Sequence, residues 1–317
     1  MEGQTQFVFS SSERNKYSKE LDVAIRAVQM ACLLCQIVLE SLISKTNGQV
    51  HPNDDDSPVK IANVLEAISQ CNSTSGPVGR FWVLSPVFRT SGFVGVDQYA
   101  FSLALIEDGK VVLGVLRCPN YPMKKEWPSY PTSESWERGC LFYARRGSGK
   151  AWVQPLLRGE KKLLWTNNAR QIQVSSIDDP AFATFCEPVN KANSSHSFTA
   201  GLAHSVGLRN QPLCENSMVK YEAIGSGHTV MFMKYTRAGC KEKIWDHAAG
   251  GVIIQEAGGV VTDIGGHPLD FSKAVLIALL HSNPPITPHP WPRHNTAVVP
   301  SNGLREVATV VAVEVDK

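Results

Sequence analysis

No stretch of this 317-residue chain approaches the ~20 consecutive apolar residues that span a bilayer. The expectation is a protein without a transmembrane helix and without a membrane as partner. A surplus of one charge is missing too. Lys and Arg number 31 against 29 Asp and Glu, a net charge of +2. Such a balance gives no basis for a nucleic-acid partner. The first twenty residues, MEGQTQFVFSSSERNKYSKE, lack the apolar core of a secretory leader. Glu2 and Glu13 argue against an organelle transit peptide. An intracellular location is expected, the cytoplasm first and an organelle left open. A second C-x-x-C is also lacking. Of eight cysteines only Cys32 and Cys35 form one, inside an apolar helical stretch with no nearby His. That context predicts buried thiols rather than a zinc or redox centre.

What is present is ordinary globular composition, 43% hydrophobic and 19% charged, enough for one large or two smaller domains. Leu21, Ile25, Val28, Cys32, Cys35, Leu39 and Leu42 recur at spacings of three and four, which predicts an amphipathic helix from Ser18, a plausible cap, to about Ser44. A polar loop, Lys45 to Pro58, follows, then a short helix over Val64–Cys71. Phe81–Leu84 reads as a buried strand. Tyr99–Ile106 and Val111–Arg117 read as a hairpin, because Glu107-Asp108-Gly109-Lys110 puts an Asp-Gly turn between apolar runs. Leu141–Arg146 and Ala151–Gln154 form a second hairpin around Gly147-Ser148-Gly149-Lys150. That GSGK is a turn and not a phosphate loop: a Walker motif would need Gly at Ala144 and Ser or Thr at Ala151. Phe198–Leu208 reads as a helix, and Val230–Tyr235 and Val260–Thr262 as strands. Strands mixed with helices indicate an α/β, or α+β, layered fold.

The most informative segment is Ile244–Gly259, IWDHAAGGVIIQEAGG. Asp246 falls where a helix cap belongs. Ala248, Ala249, Gly250 and Gly251 leave the first turns nearly bare. Gly258 and Gly259 end the helix. A bare helix start offers free N–H groups to an anion, and an Asp beside it can hold a metal that bridges to that anion.

Together with KEKIWDHAAG, PLDFSK at Pro268–Lys273, DDDSPV at Asp54–Val59, GRFWVL, and DQYAFSLALIEDGKVVLGVLRCPNYP ending at Pro122, this segment resembles the inositol-monophosphatase-like Mg²⁺-dependent phosphatases. Within them it resembles the plant and fungal 3′(2′),5′-bisphosphate nucleotidases. The resemblance runs from about Leu21 to Lys273. It implies an α-β-α-β-α sandwich, with residues 18–160 as a metal-binding subdomain and 161–273 as a nucleotide-binding one. Residues 1–17 would be disordered. The tail, 274–317, is too proline-rich for the closing helix of the family, so it stays loose or docks in some other way. The implied activity is Mg²⁺-dependent removal of the 3′-phosphate from adenosine 3′,5′-bisphosphate or a related small nucleotide. The oligomeric state is left open.

The same resemblance implies a damaged site. The family reads D-P-(I/V)-D-G-T where this chain reads Ser85-Pro86-Val87-Phe88-Arg89-Thr90. Ser85 and Phe88 stand where two metal-binding Asp residues belong, and Arg89 replaces the Gly. The Val87 carbonyl and Asp246 remain as metal ligands. Asp55 and Thr90 remain to position the attacking water, with Thr90 also near the substrate. Ser217, Lys220, Lys234 and His196 are implied contacts of the nucleotide and its phosphates, together with Asp246. Between Lys60 and Gly79, where the family places a helix and a Glu-Glu strand, lie 18 residues without a Glu-Glu pair and with Glu66 in a helical pattern. The resemblance thus implies that a further metal ligand is missing with its strand and that the N-terminal subdomain is truncated. Weak Mg²⁺ binding and low activity are expected, the alternative being an inactive relative that at most binds phosphorylated nucleotide.

Overall fold

A long first helix sets the outer layer. The computed structural model describes residues 16–46, 79–88, 99–121, 136–157, 169–177, 179–188, 196–205, 207–215, 218–232, 234–235, 242–262, 267–272, 275–276 and 313–314. Helix α1 spans Ser18–Thr46. Its predicted stripe is buried at Leu21, Ile25, Val28, Cys32 and Cys35. Leu21, Ile25 and Val28 each contribute about 1.5–3 kcal/mol when fully buried. Ser18 is the first helical residue, and its hydroxyl accepts a hydrogen bond from Arg145 at 2.7 Å. Burial pushes the Cys32 and Cys35 thiols up to about 11, so both stay protonated and inert, as the apolar context predicted.

Helix α1 lies on a six-stranded antiparallel sheet of β1 (Arg80–Phe88), β2 (Ala100–Glu107), β3 (Lys110–Cys118), β4 (Trp136–Arg145), β5 (Ala151–Leu157) and β6 (Arg170–Ile172), in that order. Both predicted hairpins form. Asp108 (φ 48°) and Gly109 (φ 73°) take the left-handed conformations that a tight two-residue turn requires. Alternation sorts the side chains. Phe101, Leu103 and Leu105 face α1, while Ala100, Ala104 and Ile106 face the opposite layer. β1 is an edge strand and pairs only with β2 among the described residues.

The opposite layer is α3 (Val219–Gly225) and α4 (Ala248–Glu256). Here the small residues of the signature find their use. A Cβ on Gly114 of β3 would sit 2.6 Å from the Ala249 carbonyl oxygen, and one on Gly250 would sit 2.2 Å from Cγ of Tyr221. Helix α4 is therefore wedged between β3 and α3, with Ala248 to Gly251 all buried. Beyond it lies a parallel three-stranded sheet, order β8-β7-β9, of β7 (Phe185–Pro188), β8 (Leu213–Glu215) and β9 (Met231–Phe232). Cys186 and Phe232 join the core with α3 and α4. Glu187 points the other way and accepts from Thr199 of α2 (His196–Ser205) at 3.1 Å. The layers are thus α1, sheet, α3 with α4, sheet, α2, the α-β-α-β-α order the sequence implied.

Several local expectations change. Val230–Tyr235 is not one strand: β9 joins the second sheet, whereas β10 (Lys234–Tyr235) pairs in parallel with β13 (Val313–Glu314). Val260–Thr262 forms no strand, only a bridge from Thr262 to Pro268. In the tail, β12 (Val275–Leu276) pairs with β11 (Glu242–Lys243), so its described residues dock by short strands instead of a helix. The expected Val64–Cys71 helix lies outside the described residues. No helix among them is long and apolar enough to cross a membrane.

Candidate active site

Asp246 closes a 3-10 turn, Ile244–Asp246, that feeds directly into α4. Both β1 and β2 pack on this turn. Because the chain is already turning at buried Ile244, the cap position moves one residue on, to His247, whose amide donates to the Ile244 carbonyl at 3.1 Å. Asp246 is therefore not the cap that the sequence suggested. His247 makes no side-chain cap bond to the helix either.

Ser85 is held close to this turn. It is 4% exposed and lies opposite Ser102, itself 1% exposed, in the β1–β2 register. The Ser102 hydroxyl donates to the Trp245 carbonyl at 3.3 Å, one peptide before Asp246. After Ser85 the register slips: Ser85 faces Ser102, but Phe88 faces Ala100, three steps against two. Such a bulge accommodates Pro86, which can make no ladder hydrogen bond, on an edge strand. The backbone of Val87 and Phe88 runs through this bulge. Their side chains lie outside the described residues.

The other expected site residues are unevenly covered. Asp55, Thr90 and Ser217 lie outside the described residues. His196 opens α2 and Lys234 opens β10, but the side chains of both lie outside them. Lys220 is described, on α3 and only 7% exposed. Its ammonium stands 4.9 Å from the Phe232 ring centroid, a cation–π contact that offsets part of its desolvation. The structure thus brings Ser85 and Asp246 into one neighbourhood and sets Lys220 on the adjoining helix.

Sequence reasoning missed several buried polar groups. The Tyr221 hydroxyl lies 2.5 Å from His247 Nδ1, joining the residues that follow Lys220 and Asp246. The Tyr121 hydroxyl lies 2.8 Å from His228 Nδ1. Burial, and then the charge of Arg170, depress His228 to about 4, so it is neutral and its tautomer sets which of the two groups donates. Glu222, fully buried on α3, lies near Cys118, whose thiol is pushed well above its ordinary range, first by burial and then by the charge of Glu222. The signal for Glu222 was an acid directly before the apolar Ala223 and Ile224. The His and Tyr pairs link residues far apart in the chain and left no local signal.

The GSGK turn does bind a carboxylate, but one of this chain. The amides of Gly147 and Gly149 and the Ser148 hydroxyl donate to Glu256 at 2.7, 2.6 and 3.0 Å. This fills the turn with the last residue of α4. A cavity of about 440 Å³ lies nearby, between the β2–β3 turn, Arg146, α4 and Pro268–Ser272, at the end of the sheet away from Ser85.

Of the expected acidic ligands, Asp246 is the one acid within the described residues. Among those residues no three His, Cys, Asp or Glu side chains come together. Mg²⁺ favours near-octahedral oxygen geometry built on carboxylates, substrate phosphates and water. The described residues, with a neutral hydroxyl at Ser85, do not fit a two-ion magnesium centre.

Residues 49–289 match the inositol monophosphatase family, past the point at Lys273 where the motif resemblance ended. A 3',5'-bisphosphate nucleotidase AHL of Arabidopsis thaliana is 43% identical over 337 residues, covering 81% of this chain and 89% of that protein. A 3'(2'),5'-bisphosphate nucleotidase of Oryza sativa is 40% identical over 216 residues, and the chain spans 58% of its length. Two solved structures share the fold. CysQ from Bacteroides thetaiotaomicron has TM-score 0.54 at 18% identity, over 82% of this chain and 96% of that one. An inositol monophosphatase from Anabaena has TM-score 0.52 at 18% identity, over 83% and 90%. The layered sandwich, the Ser85–Asp246 neighbourhood and these likenesses agree: the chain belongs to the inositol monophosphatase family.

Proposed function

We propose that this chain recognises adenosine 3′,5′-bisphosphate and related small phosphorylated nucleotides, and that its removal of the 3′-phosphate is impaired. The recognition half is supported by the nucleotidase relative whose length the chain nearly spans. Lys220, on the helix beside α4, supports it too. The impairment is carried by one observation above all: a buried, neutral Ser85 stands beside the Trp245–Asp246 turn. A carboxylate there would help bind Mg²⁺; a hydroxyl brings no charge. When bound, Mg²⁺ would neutralise phosphate and activate water, and Asp246 with the Val87 carbonyl would hold it weakly.

In this reading residues 18–160 form the metal side and 161–273 the nucleotide side, with β6 returning to the first sheet. The first free N–H groups of α4 and the Lys220 ammonium meet the phosphates, while Ser217, Lys234 and His196 add contacts. Arg89 and Lys60 supply fixed positive charge in place of metal. The six described cysteines are free thiols, which suits a reducing, intracellular compartment.

The test is calorimetric titration with adenosine 3′,5′-bisphosphate in EDTA. Saturable binding that weakens with salt and in Lys220→Ala supports recognition. No heat at millimolar ligand overturns it.

A further inference from the structure

We infer that the buried Tyr221–His247 pair is a positioning link that fixes Lys220 relative to Asp246, so that the two phosphates of one nucleotide are recognised together. The inference rests on the reading above, which places one phosphate at Lys220 and the other beside Asp246. The two residues lie 26 apart in sequence and belong to different elements, α3 and the start of α4. Each is 2% exposed. Their hydroxyl and ring nitrogen are 2.5 Å apart, and the rings meet edge to face with centroids 6.0 Å apart.

The contacts form a continuous path between the two candidate phosphate contacts. Lys220 covers the Phe232 ring at 4.9 Å, Phe232 meets Tyr221 at 6.2 Å, and Tyr221 bonds His247, the neighbour of Asp246. The Tyr221 ring also occupies the space where a Cβ of residue 250 would be. A shift of Tyr221 must therefore move the first turn of α4, where free N–H groups follow Asp246. Two apolar side chains would fill the same volume without the cost of taking a hydroxyl and an imidazole out of water. What the polar pair adds is direction: a hydrogen bond fixes distance and angle, which an apolar contact leaves loose.

The experiment compares two ligands by calorimetry in EDTA: adenosine 3′,5′-bisphosphate, which spans both positions, and adenosine 5′-monophosphate, which reaches only Lys220. Tyr221→Phe keeps the ring on Gly250 and removes the hydroxyl. It should weaken the bisphosphate about five- to tenfold, the worth of one buried hydrogen bond, and change the monophosphate less than about twofold on the same scale. His247→Asn keeps an acceptor near the Nδ1 position and should bind both ligands nearly as the unaltered chain does. His247→Ala should match Tyr221→Phe. A merely structural pair would weaken both ligands in parallel. Parallel loss, or no loss in Tyr221→Phe, overturns this inference alone. Failure of the unaltered chain to bind either ligand overturns it together with the proposed function.

Discussion

The Ser102 hydroxyl donates to the Trp245 carbonyl at 3.3 Å, and this bond ties the strand that faces Ser85 to the turn that carries Asp246. Ser85 and Asp246 are therefore held in one neighbourhood of the proposed site. Ser85→Asp should test that neighbourhood. Without metal the new carboxylate is buried beside Ser102 and Asp246, and stability should fall by about 1–3 kcal/mol. Excess Mg²⁺ should raise the melting temperature of Ser85→Asp by more than that of the unaltered chain. Thermal unfolding with and without Mg²⁺ checks this; equal Mg²⁺ responses would place residue 85 away from the metal position.

Close packing around α4 gives a second expectation. Gly114→Ala and Gly250→Ala each drive a methyl into neighbours within 2.6 Å. Each should cost about 1–3 kcal/mol as an overpacked core does, read as a lower denaturant midpoint. Gly149→Ala, with no atom within 4 Å of its added Cβ, meets only the penalty of its positive φ and should cost about 1 kcal/mol.

How much was legible follows from where the information sits. The Asp-Gly turn announced its hairpin because two left-handed residues are a local requirement. The stripe of α1 announced its buried face because a helix has one period. The signature Ile244–Gly259 pointed to the family, yet its small residues proved to serve packing against Gly114 and Tyr221 rather than exposure alone. The cap at His247 escaped by one residue because a 3-10 turn begins at Ile244. Tyr221 with His247, Tyr121 with His228, and Thr199 with Glu187 are tertiary pairs, so nothing near either partner marks them. β9 and β10 read as one run because a single residue separates them, although they pair in different sheets.

The Glu256 carboxylate in the GSGK turn should matter for stability and not for nucleotide. Glu256→Gln leaves three donors poorly satisfied at a partly exposed site and should cost about 1–2 kcal/mol. Hydrogen exchange at the Gly147 and Gly149 amides should quicken. Affinity for adenosine 3′,5′-bisphosphate should not change; a loss of affinity would reopen the phosphate-loop reading.

Acid should destabilise the fold partly through His228. Its folded pKa, about 4, lies below the ordinary value of 6.5. Between those values the unfolded chain binds the extra proton, so stability rises with pH. The contribution is full above about pH 6.5 and lost as pH falls through about 4, on the order of 1–3 kcal/mol. His228→Gln should flatten the stability profile across that window relative to the unaltered chain. Parallel profiles would show that His228 titrates normally.

The central claim is recognition of a phosphorylated nucleotide with impaired hydrolysis, and release of inorganic phosphate from adenosine 3′,5′-bisphosphate under excess Mg²⁺ tests it most directly. The 43%-identical Arabidopsis relative serves as the parallel standard. Release by this chain should be at least about a hundredfold slower, a barrier higher by about 2.7 kcal/mol, while calorimetry shows the nucleotide bound. Release at the relative's rate would show that the described Ser85–Asp246 arrangement suffices for catalysis and would contradict the account.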